Sequence, residues 1–164
     1  MVNKLIILVG LPAVGKSTWV KRFLKNNPNT IVCGLDLFLE QEYPQFSSYV
    51  DKFNYHMSLG NKGLSKYIDY MENNKKEAVN KGYNLIIDQT NLTIKSRAKH
   101  LGLPAKEKIA VFWRDTPKDW EKRLKTRGKK EGKVIPNSIL EDMRNSIEFP
   151  TIKEGFDKII INPL

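Results

Sequence analysis

Apolar residues in this chain form short continuous runs separated by longer amphipathic segments. The runs occupy residues 5–9, 30–35, 83–88, 108–113 and 156–161. Runs of this length predict strands, and the β-branched run at residues 5–9 predicts a strand that is buried on both faces of a sheet. The intervening segments place apolar residues at helical spacing. The alternation therefore predicts an α/β domain in which a central parallel sheet of four to five strands carries helices on both faces.

Helix-breaking residues predict where several of the helices begin and end. Gly82 follows a long amphipathic segment and is expected to be its C-terminal cap. Thr116 and Pro117 have the residue types of a helix cap and a first helical residue, and Pro136 is expected to open a further helix. Residues 128–133 are polar and contain two glycines, which predicts a mobile turn between these last two helices.

A segment with no clear period lies between the second strand and the long helix. It carries aromatic residues among polar ones, namely Tyr43, Phe46, Tyr49, Phe53 and Tyr55. Two interpretations are open. Such side chains stack on bases in proteins that bind single-stranded nucleic acid. More often, aromatic residues at this spacing pack into a core or support a neighbouring element.

The turn after the first strand has the clearest chemical signature, the sequence GLPAVGKST at residues 10–18. It matches the phosphate-binding loop G-x-x-x-x-G-K-[ST], in which backbone N–H groups and a helix N-terminus face the phosphates. Lys16 is expected to reach the β- and γ-phosphates, and the Ser17 hydroxyl to ligate Mg²⁺. The sequence therefore predicts binding of ATP or another nucleoside triphosphate with Mg²⁺. The expected nucleotide-binding residues are Gly10, Pro12, Ala13, Val14, Gly15, Lys16, Ser17 and Thr18.

Two aspartates stand at the ends of predicted strands. Ligands gather beyond the carboxyl ends of parallel strands, so both side chains are candidates for the site. Asp36 has two interpretations, a general base that takes the proton of an acceptor hydroxyl and a helix N-cap. Asp88 is typical of the carboxylate that helps to hold Mg²⁺, directly or through water.

Polar residues after Asp88 are candidates for substrate contact. Gln89, Thr90 and Asn91 follow the third strand directly, and Arg97 lies on the next predicted helix. Their side chains have the hydrogen-bonding groups that a bound substrate needs. We therefore include all four, with Asp36, in the expected substrate site.

Arg123 and Arg127 lie four residues apart on a predicted helix, so they share one of its faces. Arginines joined to a flexible turn in this way are typical of the lid of small kinases, here covering roughly residues 116–137. Such arginines contact a transferring phosphoryl group and stabilise its charge. The alternative is a solvated basic face with no role in binding.

The charge of the chain is concentrated in one stretch. Residues 95–133 hold 14 Lys and Arg against five Asp and Glu, whereas the rest holds 14 and 13, and the formal net charge is +10. A concentrated positive charge is typical of a polyanion partner such as nucleic acid. The alternative is that this charge belongs to a lid that contacts only ATP, together with solvated lysines.

The remaining composition indicates one globular domain spanning residues 1–164. The single cysteine, Cys33, excludes an internal disulfide and is expected to be a small buried apolar residue in a reducing compartment. No apolar run approaches the roughly 20 residues of a membrane span, so no membrane partner is expected. We expect a cytoplasmic location, in a bacterial or phage-infected cell.

In their order along the chain, these motifs resemble the 5′-hydroxyl polynucleotide kinases of bacteriophages and of animal DNA-repair enzymes. The resemblance covers nearly the whole chain. It includes the phosphate loop, Asp36, the Ile-Asp-Gln-Thr-Asn run at residues 87–91, Arg123 and Arg127, and residues 149–156 with the sequence FPTIKEGF. The phosphate loop alone specifies only a superfamily. The runs at residues 87–91 and 149–156 are found in a narrower group of proteins.

The resemblance implies a three-layer P-loop kinase fold with a helical lid, and transfer of the γ-phosphate of ATP to a 5′-hydroxyl end of DNA or RNA. It implies that Asp36 activates the acceptor hydroxyl, that Lys16 and Ser17 hold the phosphates and Mg²⁺, and that Arg123 and Arg127 contact the donor phosphates. A separate phosphatase or ligase is an expected partner. No D-x-D phosphatase motif is present, so we expect a kinase domain without a phosphatase domain.

The chain departs from that family at two places. Gly34 and Leu35 precede Asp36 where the family usually has Asn-Arg, and Leu39 stands where phage enzymes place an arginine that touches the substrate's phosphate. Both departures affect how an acceptor is held. Two further hypotheses therefore stay open, a P-loop kinase for a small-molecule or nucleoside hydroxyl and a nucleotide-gated nucleic-acid-binding module.

Overall fold

Five strands form a single parallel sheet in the order β2-β3-β1-β4-β5. The computed structural model describes residues 1–163. The strands are β1 Val2–Val9, β2 Thr30–Cys33, β3 Asn84–Ile87, β4 Ala105–Phe112 and β5 Lys158–Ile161. All five predicted strands are confirmed, with shifted ends. The second is shorter than predicted because the chain turns into a helix directly after Gly34.

The first strand is the centre of the sheet. Ile6 of β1 lies between Ile86 of β3 and Ile109 of β4, and residues Leu5 to Val9 are almost completely buried. A central parallel strand has no solvent-facing side, which explains its continuous apolar sequence. The phosphate loop follows the carboxyl end of β1, so it lies centrally among the carboxyl ends of the five strands.

Seven helices connect and cover the strands. They are α1 Lys16–Asn26, α2 Leu35–Glu42, α3 Tyr49–Ser58, α4 Asn61–Lys81, α5 Ile94–Leu101, α6 Trp120–Glu131 and α7 Asn137–Ser146, followed by a 3-10 turn at Ile152–Glu154. Gly82 caps α4 in the left-handed conformation, with φ of 63°, as predicted. None of the helices within residues 1–163 combines the length and apolarity needed to cross a bilayer.

Two predictions about α6 are wrong. The helix does not begin at Thr116 and Pro117, because the Trp120 N–H bonds to the Pro117 carbonyl in a turn and helical structure starts only at Trp120. Nor does the connecting turn begin at Gly128. The helix continues to Glu131 and ends at Gly132, whose φ of 67° suits glycine.

The side chains of β1 alternate between two apolar layers, one on each face of the sheet. One layer packs Leu5 and Ile7 with residues of α4 such as Met71 and Ala78. The other packs Ile6 and Leu8 with apolar residues of α1, α6 and α7. The predicted arrangement of helices on both faces is confirmed, giving three layers. Cys33 is buried in the first layer, as predicted, and burial raises the pKa of its thiol to about 12.

A third apolar cluster joins α2, α3 and α4. Its buried members are Phe38, Leu39 and Tyr43, and the partly buried members include Phe46, Tyr49 and Phe53. The aromatic rings of the segment without a clear period therefore pack against one another, which agrees with the core interpretation. Leu39 is fully buried in this cluster, so its side chain does not reach the cleft described below.

Candidate active site

The phosphate loop joins β1 to α1 through a turn with two left-handed residues. Ala13 has φ of 61° and Gly15 has φ of 117°. Among the described residues no side chain caps α1, so its first N–H groups are left without a side-chain partner. Free N–H groups at a helix N-terminus attract anions through their partial positive charge. The turn has the geometry of an anion site.

Backbone contacts at the carboxyl end of β1 hold this loop in place. The Gly10 N–H donates to the Thr90 carbonyl at 3.0 Å, and a Cβ at Gly10 would lie 3.1 Å from the Cβ of Trp113. The Asn91 amide donates to the Leu8 carbonyl at 2.8 Å. Asn91 is buried, and its amide bond fastens the segment after β3 to the end of β1. The residue also belongs to the lining of the cleft described below, so its contact with a substrate stays a prediction.

Lys16 is folded back into the loop. Its Nζ donates to the carbonyls of Gly10 and Leu11 at 2.8 and 2.7 Å. Burial lowers its pKa to about 8, while the nearby Asp88 carboxylate opposes that shift. The ammonium is therefore poorly solvated, and an anion in the loop would compensate for its buried charge.

Gly34 brings the ends of β2 and β3 into close contact. The Asp88 N–H donates to the Cys33 carbonyl at 2.8 Å, and a Cβ at Gly34 would lie only 2.2 Å from the Asp88 carbonyl oxygen. This packing requires a residue without a Cβ at position 34. It places Asp36 and Asp88 at the same edge of the sheet, as predicted. Burial raises the pKa of Asp88, and Lys16 opposes that shift.

Asp36 lies in the first turn of α2 and faces a cluster of cations. The N-cap is Gly34, so the interpretation of Asp36 as the helix cap is wrong. One carboxylate oxygen, Oδ2, accepts from Lys133 Nζ at 2.8 Å and lies 3.9 Å from an Arg127 nitrogen. The side chain is 51% exposed, so the carboxylate remains open to a ligand.

The two arginines of α6 face the loop and Asp36. Arg123 places its Nη1 4.0 Å from the point where a Cβ of Gly15 would stand, and its Nε contacts Asp119 at 2.9 Å. Arg127 lies near Asp36 and contacts Glu131 at 3.6 Å. Both guanidinium groups thus face the cleft, which does not fit the alternative interpretation of a solvated basic face directed away from the site. The structure brings Lys16, Asp36, Asp88, Arg123 and Arg127 to one cleft.

Arg97 is in a different place from the one predicted. Its side chain is fully buried, and its Nε and Nη2 donate to the two carboxylate oxygens of Glu154 at 2.7 and 3.0 Å. Its Nη1 donates to the Asn91 carbonyl at 3.0 Å. The prediction that Arg97 contacts a substrate is therefore wrong. The pair instead connects α5 to the 3-10 turn, within the FPTIKEGF run.

Gln89 and Thr90 line the cleft and stay as candidates for substrate contact. The Gln89 amide donates to the Tyr67 hydroxyl. This bond orients Gln89 along the cleft wall, while Thr90 uses its backbone carbonyl to hold Gly10.

Two residues of the site have no sequence signal that predicts them. The indole N–H of Trp120 donates to the Pro12 carbonyl at 2.7 Å, and the Arg144 guanidinium lies 4.7 Å from the Trp120 ring. Lys133 contacts Asp36 from the loop between α6 and α7, residues 132–136. From the sequence, Trp120 is an apolar residue of a predicted helix and Lys133 is one of many basic residues in its stretch. Neither feature predicts the contact with Pro12 or with Asp36.

The donor set suits a magnesium ion that arrives with a nucleotide. Ser17 is exposed at the start of α1, and Asp88 lines the same cleft. Mg²⁺ usually takes one or two protein ligands, with phosphate oxygens and water completing an octahedron. Two side chains next to an anion site fit that requirement.

The cleft that these residues line has a volume of about 1650 Å³. Small-molecule sites commonly measure roughly 300–1,000 Å³. Its walls include the phosphate loop, the start of α2, Tyr49 of α3, Arg123 and Arg127 of α6, and the segment after β4 at Asp115–Pro117. The cleft is therefore larger than common small-molecule sites.

Comparisons with known proteins agree with this architecture. A family model described as an AAA domain, AAA_33, matches residues 5–150. The chain is 26% identical over 170 residues to the heterogeneous nuclear ribonucleoprotein U-like protein 2 of Homo sapiens, covering 98% of this chain and 22% of that protein. It is 29% identical over 157 residues to the L-seryl-tRNA(Sec) kinase of Methanococcus maripaludis, covering 93% and 56%. The chain thus spans about a fifth of the length of the first relative and somewhat more than half of the length of the second.

A solved structure has a similar fold. A chain of the Pnkp1/Rnl/Hen1 RNA repair complex superposes with a TM-score of 0.67 at 23% identity, covering 95% of this chain and 47% of that one. Together with the family match, this likeness shows that the chain has the α/β fold of P-loop kinases.

Proposed function

The chain belongs to the AAA_33 family of AAA domains, and from that premise we propose that it is a kinase that transfers the γ-phosphate of ATP to a 5′-hydroxyl end of DNA or RNA. The observation that carries the proposal is the convergence of Lys16, Asp36, Arg123 and Arg127 around one cleft. Phosphoryl transfer needs a phosphate cradle, cations around the transferred group and a group that accepts the acceptor's proton. The phosphate loop is the cradle, Lys16, Arg123 and Arg127 are the cations, and the Asp36 carboxylate is the proton acceptor.

In the proposed reaction the donor lies on the phosphate loop. The N–H groups at the start of α1 and the Lys16 ammonium bind the β- and γ-phosphates, and Arg123 approaches from α6. Ser17 and Asp88 would hold Mg²⁺, which neutralises phosphate charge when bound. Little covalent chemistry is required of the protein, so alignment and electrostatics supply most of the rate.

The acceptor hydroxyl lies at Asp36. Its oxygen forms a bond to the γ-phosphorus while the bond from that phosphorus to the β–γ bridging oxygen breaks, and ADP leaves with the electron pair. The hydroxyl proton passes to the Asp36 carboxylate, an effect worth roughly 10²–10⁴ in rate. Arg127, 3.9 Å from Asp36, is placed to stabilise charge on the transferred group between the two substrates.

Three observations support a nucleic-acid acceptor. The cleft is larger than common small-molecule sites, which leaves room for an acceptor beside the nucleotide. The chain carries a net charge of +10 with the surplus between residues 95 and 133, and polyanions bind such surfaces. Both curated relatives have names that refer to RNA, and the similar solved chain belongs to an RNA repair complex. That complex holds two further components, Rnl and Hen1, and we propose that this chain likewise acts with separate repair proteins such as a ligase or a phosphatase.

A second candidate is a kinase for a small-molecule or nucleoside hydroxyl, and one observation favours it. Lys122, Lys125 and Lys129 are exposed on α6. At 100° per residue they occupy the side of the helix away from Arg123 and Arg127. Much of the basic stretch is therefore solvated and does not line the cleft.

Label transfer tests the proposal. The protein is incubated with γ-labelled ATP, Mg²⁺ and matched DNA and RNA oligonucleotides with either 5′-hydroxyl or 5′-phosphate ends, and with nucleosides. We expect label only on the 5′-hydroxyl ends, at a rate that falls steeply with added salt. Label on nucleosides with little salt dependence would favour the second candidate. Slow, acceptor-independent ATP hydrolysis with strong oligonucleotide binding would favour a nucleotide-gated binding module.

A further inference from the structure

Lys133 is held at Asp36 by groups from three elements. Its Nζ lies 2.8 Å from Asp36 Oδ2, 3.3 Å from a Glu131 carboxylate oxygen and 4.7 Å from the centre of the Tyr49 ring. The side chain is only 19% exposed. Asp36 belongs to α2, Glu131 ends α6 and Tyr49 begins α3. Lys133 therefore joins the end of α6 to the acceptor side of the cleft.

The ammonium occupies one of the two Asp36 oxygens that an acceptor hydroxyl can approach. A general base must come within about 2.6–3.2 Å of the hydroxyl that it deprotonates. Oδ2 of Asp36 is already bonded to Lys133, and Arg127 lies on the same oxygen at 3.9 Å. An acceptor hydroxyl that approaches Oδ2 therefore competes with Lys133 for that oxygen.

Displacing Lys133 is unfavourable unless the ammonium finds another anion. A largely buried cation separated from one of its two carboxylates loses charge-assisted hydrogen bonding without regaining full hydration. A neutral acceptor offers no replacement. An acceptor that carries an anionic group a few ångströms from its hydroxyl offers one at the position where Lys133 stands.

The backbone of Lys133 permits such a change of partner. It lies in the α6–α7 loop, directly after Gly132, and not within a helix. Its side chain can turn from Asp36 without breaking helical hydrogen bonds. Arg127 differs, because its backbone is fixed two turns inside α6 and its guanidinium is also held by Glu131.

Resting on the proposed function, we propose that Lys133 determines acceptor specificity: it binds Asp36 in the free protein and exchanges that carboxylate for a phosphate adjacent to the acceptor hydroxyl. The Asp36 carboxylate is then available to the hydroxyl when a phosphate-bearing end is bound. The favoured acceptors are nucleoside 3′-phosphates and polynucleotide ends, and the disfavoured ones are nucleosides and neutral alcohols.

The test compares acceptors that differ only in that phosphate. Steady-state phosphorylation is measured with thymidine and with thymidine 3′-monophosphate, for the wild-type protein, Lys133→Met and Lys133→Arg. We expect the wild-type kcat/KM to favour the phosphate-bearing acceptor by about tenfold or more. Lys133→Met should bring the ratio close to one with the KM for ATP unchanged, and Lys133→Arg should keep most of the preference.

Lys75→Met is the matched control. Lys75 Nζ lies 2.9 Å from a Glu72 oxygen and its side chain is 12% exposed, so it resembles Lys133 in burial and pairing, but it lies on α4 outside the cleft lining. Its acceptor ratio should equal the wild-type ratio. Should Lys133→Met fail to fold, Lys133→Gln makes the same comparison with a polar side chain that lacks the charge.

The possible failures can be told apart. If a folded Lys133→Met or Lys133→Gln variant keeps the wild-type preference, the role of Lys133 is refuted while kinase activity on nucleic-acid ends stands. If the wild-type protein phosphorylates both acceptors equally, the role of Lys133 is likewise refuted. If it transfers phosphate to no nucleoside, nucleotide or oligonucleotide, the proposed function fails and this inference with it.

Discussion

The indole N–H of Trp120 donates a 2.7 Å hydrogen bond to the carbonyl of Pro12, and this bond ties the first turn of α6 to the phosphate loop. Both residues are buried. Arg123 and Arg127 follow one and two turns later on the same helix. The position of the arginines over the cleft therefore depends on a contact between one tryptophan and the loop that they face.

Trp120→Phe should lower stability and weaken nucleotide binding. Phenylalanine keeps much of the packing but leaves the buried Pro12 carbonyl without its donor, which costs about 1–3 kcal/mol. We expect a lower melting temperature and a higher KM for ATP. Trp19→Phe is the control, because Trp19 packs in the same apolar layer and its indole forms no hydrogen bond within residues 1–163. Equal effects of the two variants would mean that ring size, and not the hydrogen bond, is responsible.

Asp36→Asn should separate binding from transfer. The amide keeps the size of the side chain but cannot take the acceptor's proton, so kcat should fall by roughly 10²–10⁴. Nucleotide affinity, measured by calorimetry, should change little. Asp51→Asn, in an exposed first turn of α3, should behave as wild type. Wild-type turnover in Asp36→Asn would remove the general-base role.

Gly34→Ala should disturb the pairing of β2 with β3. The added Cβ would lie 2.2 Å from the Asp88 carbonyl oxygen, so the two strand ends must move apart. Overpacking of this kind costs about 1–3 kcal/mol, and the shift should also reduce transfer by displacing Asp36 from Asp88. In Gly102→Ala the new Cβ would meet no other described atom within 4 Å, which makes this variant the control. Urea denaturation and label transfer measure both effects.

Nucleotide binding should take up protons near pH 8. The pKa of Lys16 is lowered to about 8 by burial, so the free protein loses this proton as the pH rises through 8. Bound phosphates favour the charged form and raise the pKa again. At pH 8 the complex should therefore bind about half a proton more than the free protein. Calorimetry in buffers of different ionisation enthalpy measures this uptake.

Lys16→Met provides the control for that measurement, since it removes the titrating group. Proton uptake at pH 8 should disappear in this variant at any nucleotide concentration that still gives binding. Uptake should also vanish in the wild-type protein at pH 6, where Lys16 is protonated in both states. Proton release at pH 8 would contradict the assignment.

Arg97 and Glu154 should affect stability more than substrate recognition. The pair is buried with side-chain exposures of 0% and 5%, so removing one partner leaves an uncompensated charge. Arg97→Met alone should cost about 3–5 kcal/mol, and the double variant Arg97→Met, Glu154→Leu should recover much of that loss. Chemical denaturation of Arg97→Met, of Glu154→Leu and of the double variant measures the coupling free energy between the two residues. A large rise in acceptor KM with unchanged stability would instead restore Arg97 as a substrate residue.

Much of the fold was predictable because its signals are local. Each of the five predicted runs became a strand, and the most continuous apolar run, residues 5–9, became the central strand that is buried on both faces. The phosphate loop is contiguous between residues 10 and 18, so its residue types alone indicate the turn. Asp36 and Asp88 were predictable as neighbours because the carboxyl ends of parallel strands meet at one edge.

Other features depend on how distant elements pack. The sequence shows that Arg97 lies on a helix, but not that its face of α5 is buried against Glu154, 57 residues away. The bonds from Lys133 to Asp36 and from Trp120 to Pro12 span 97 and 108 residues. Periodicity along one helix carries no information about its rotation and depth against another. The amino-acid sequence by itself therefore determined the sheet, the phosphate loop and the two carboxylates, whereas tertiary packing alone decided which cations reach Asp36.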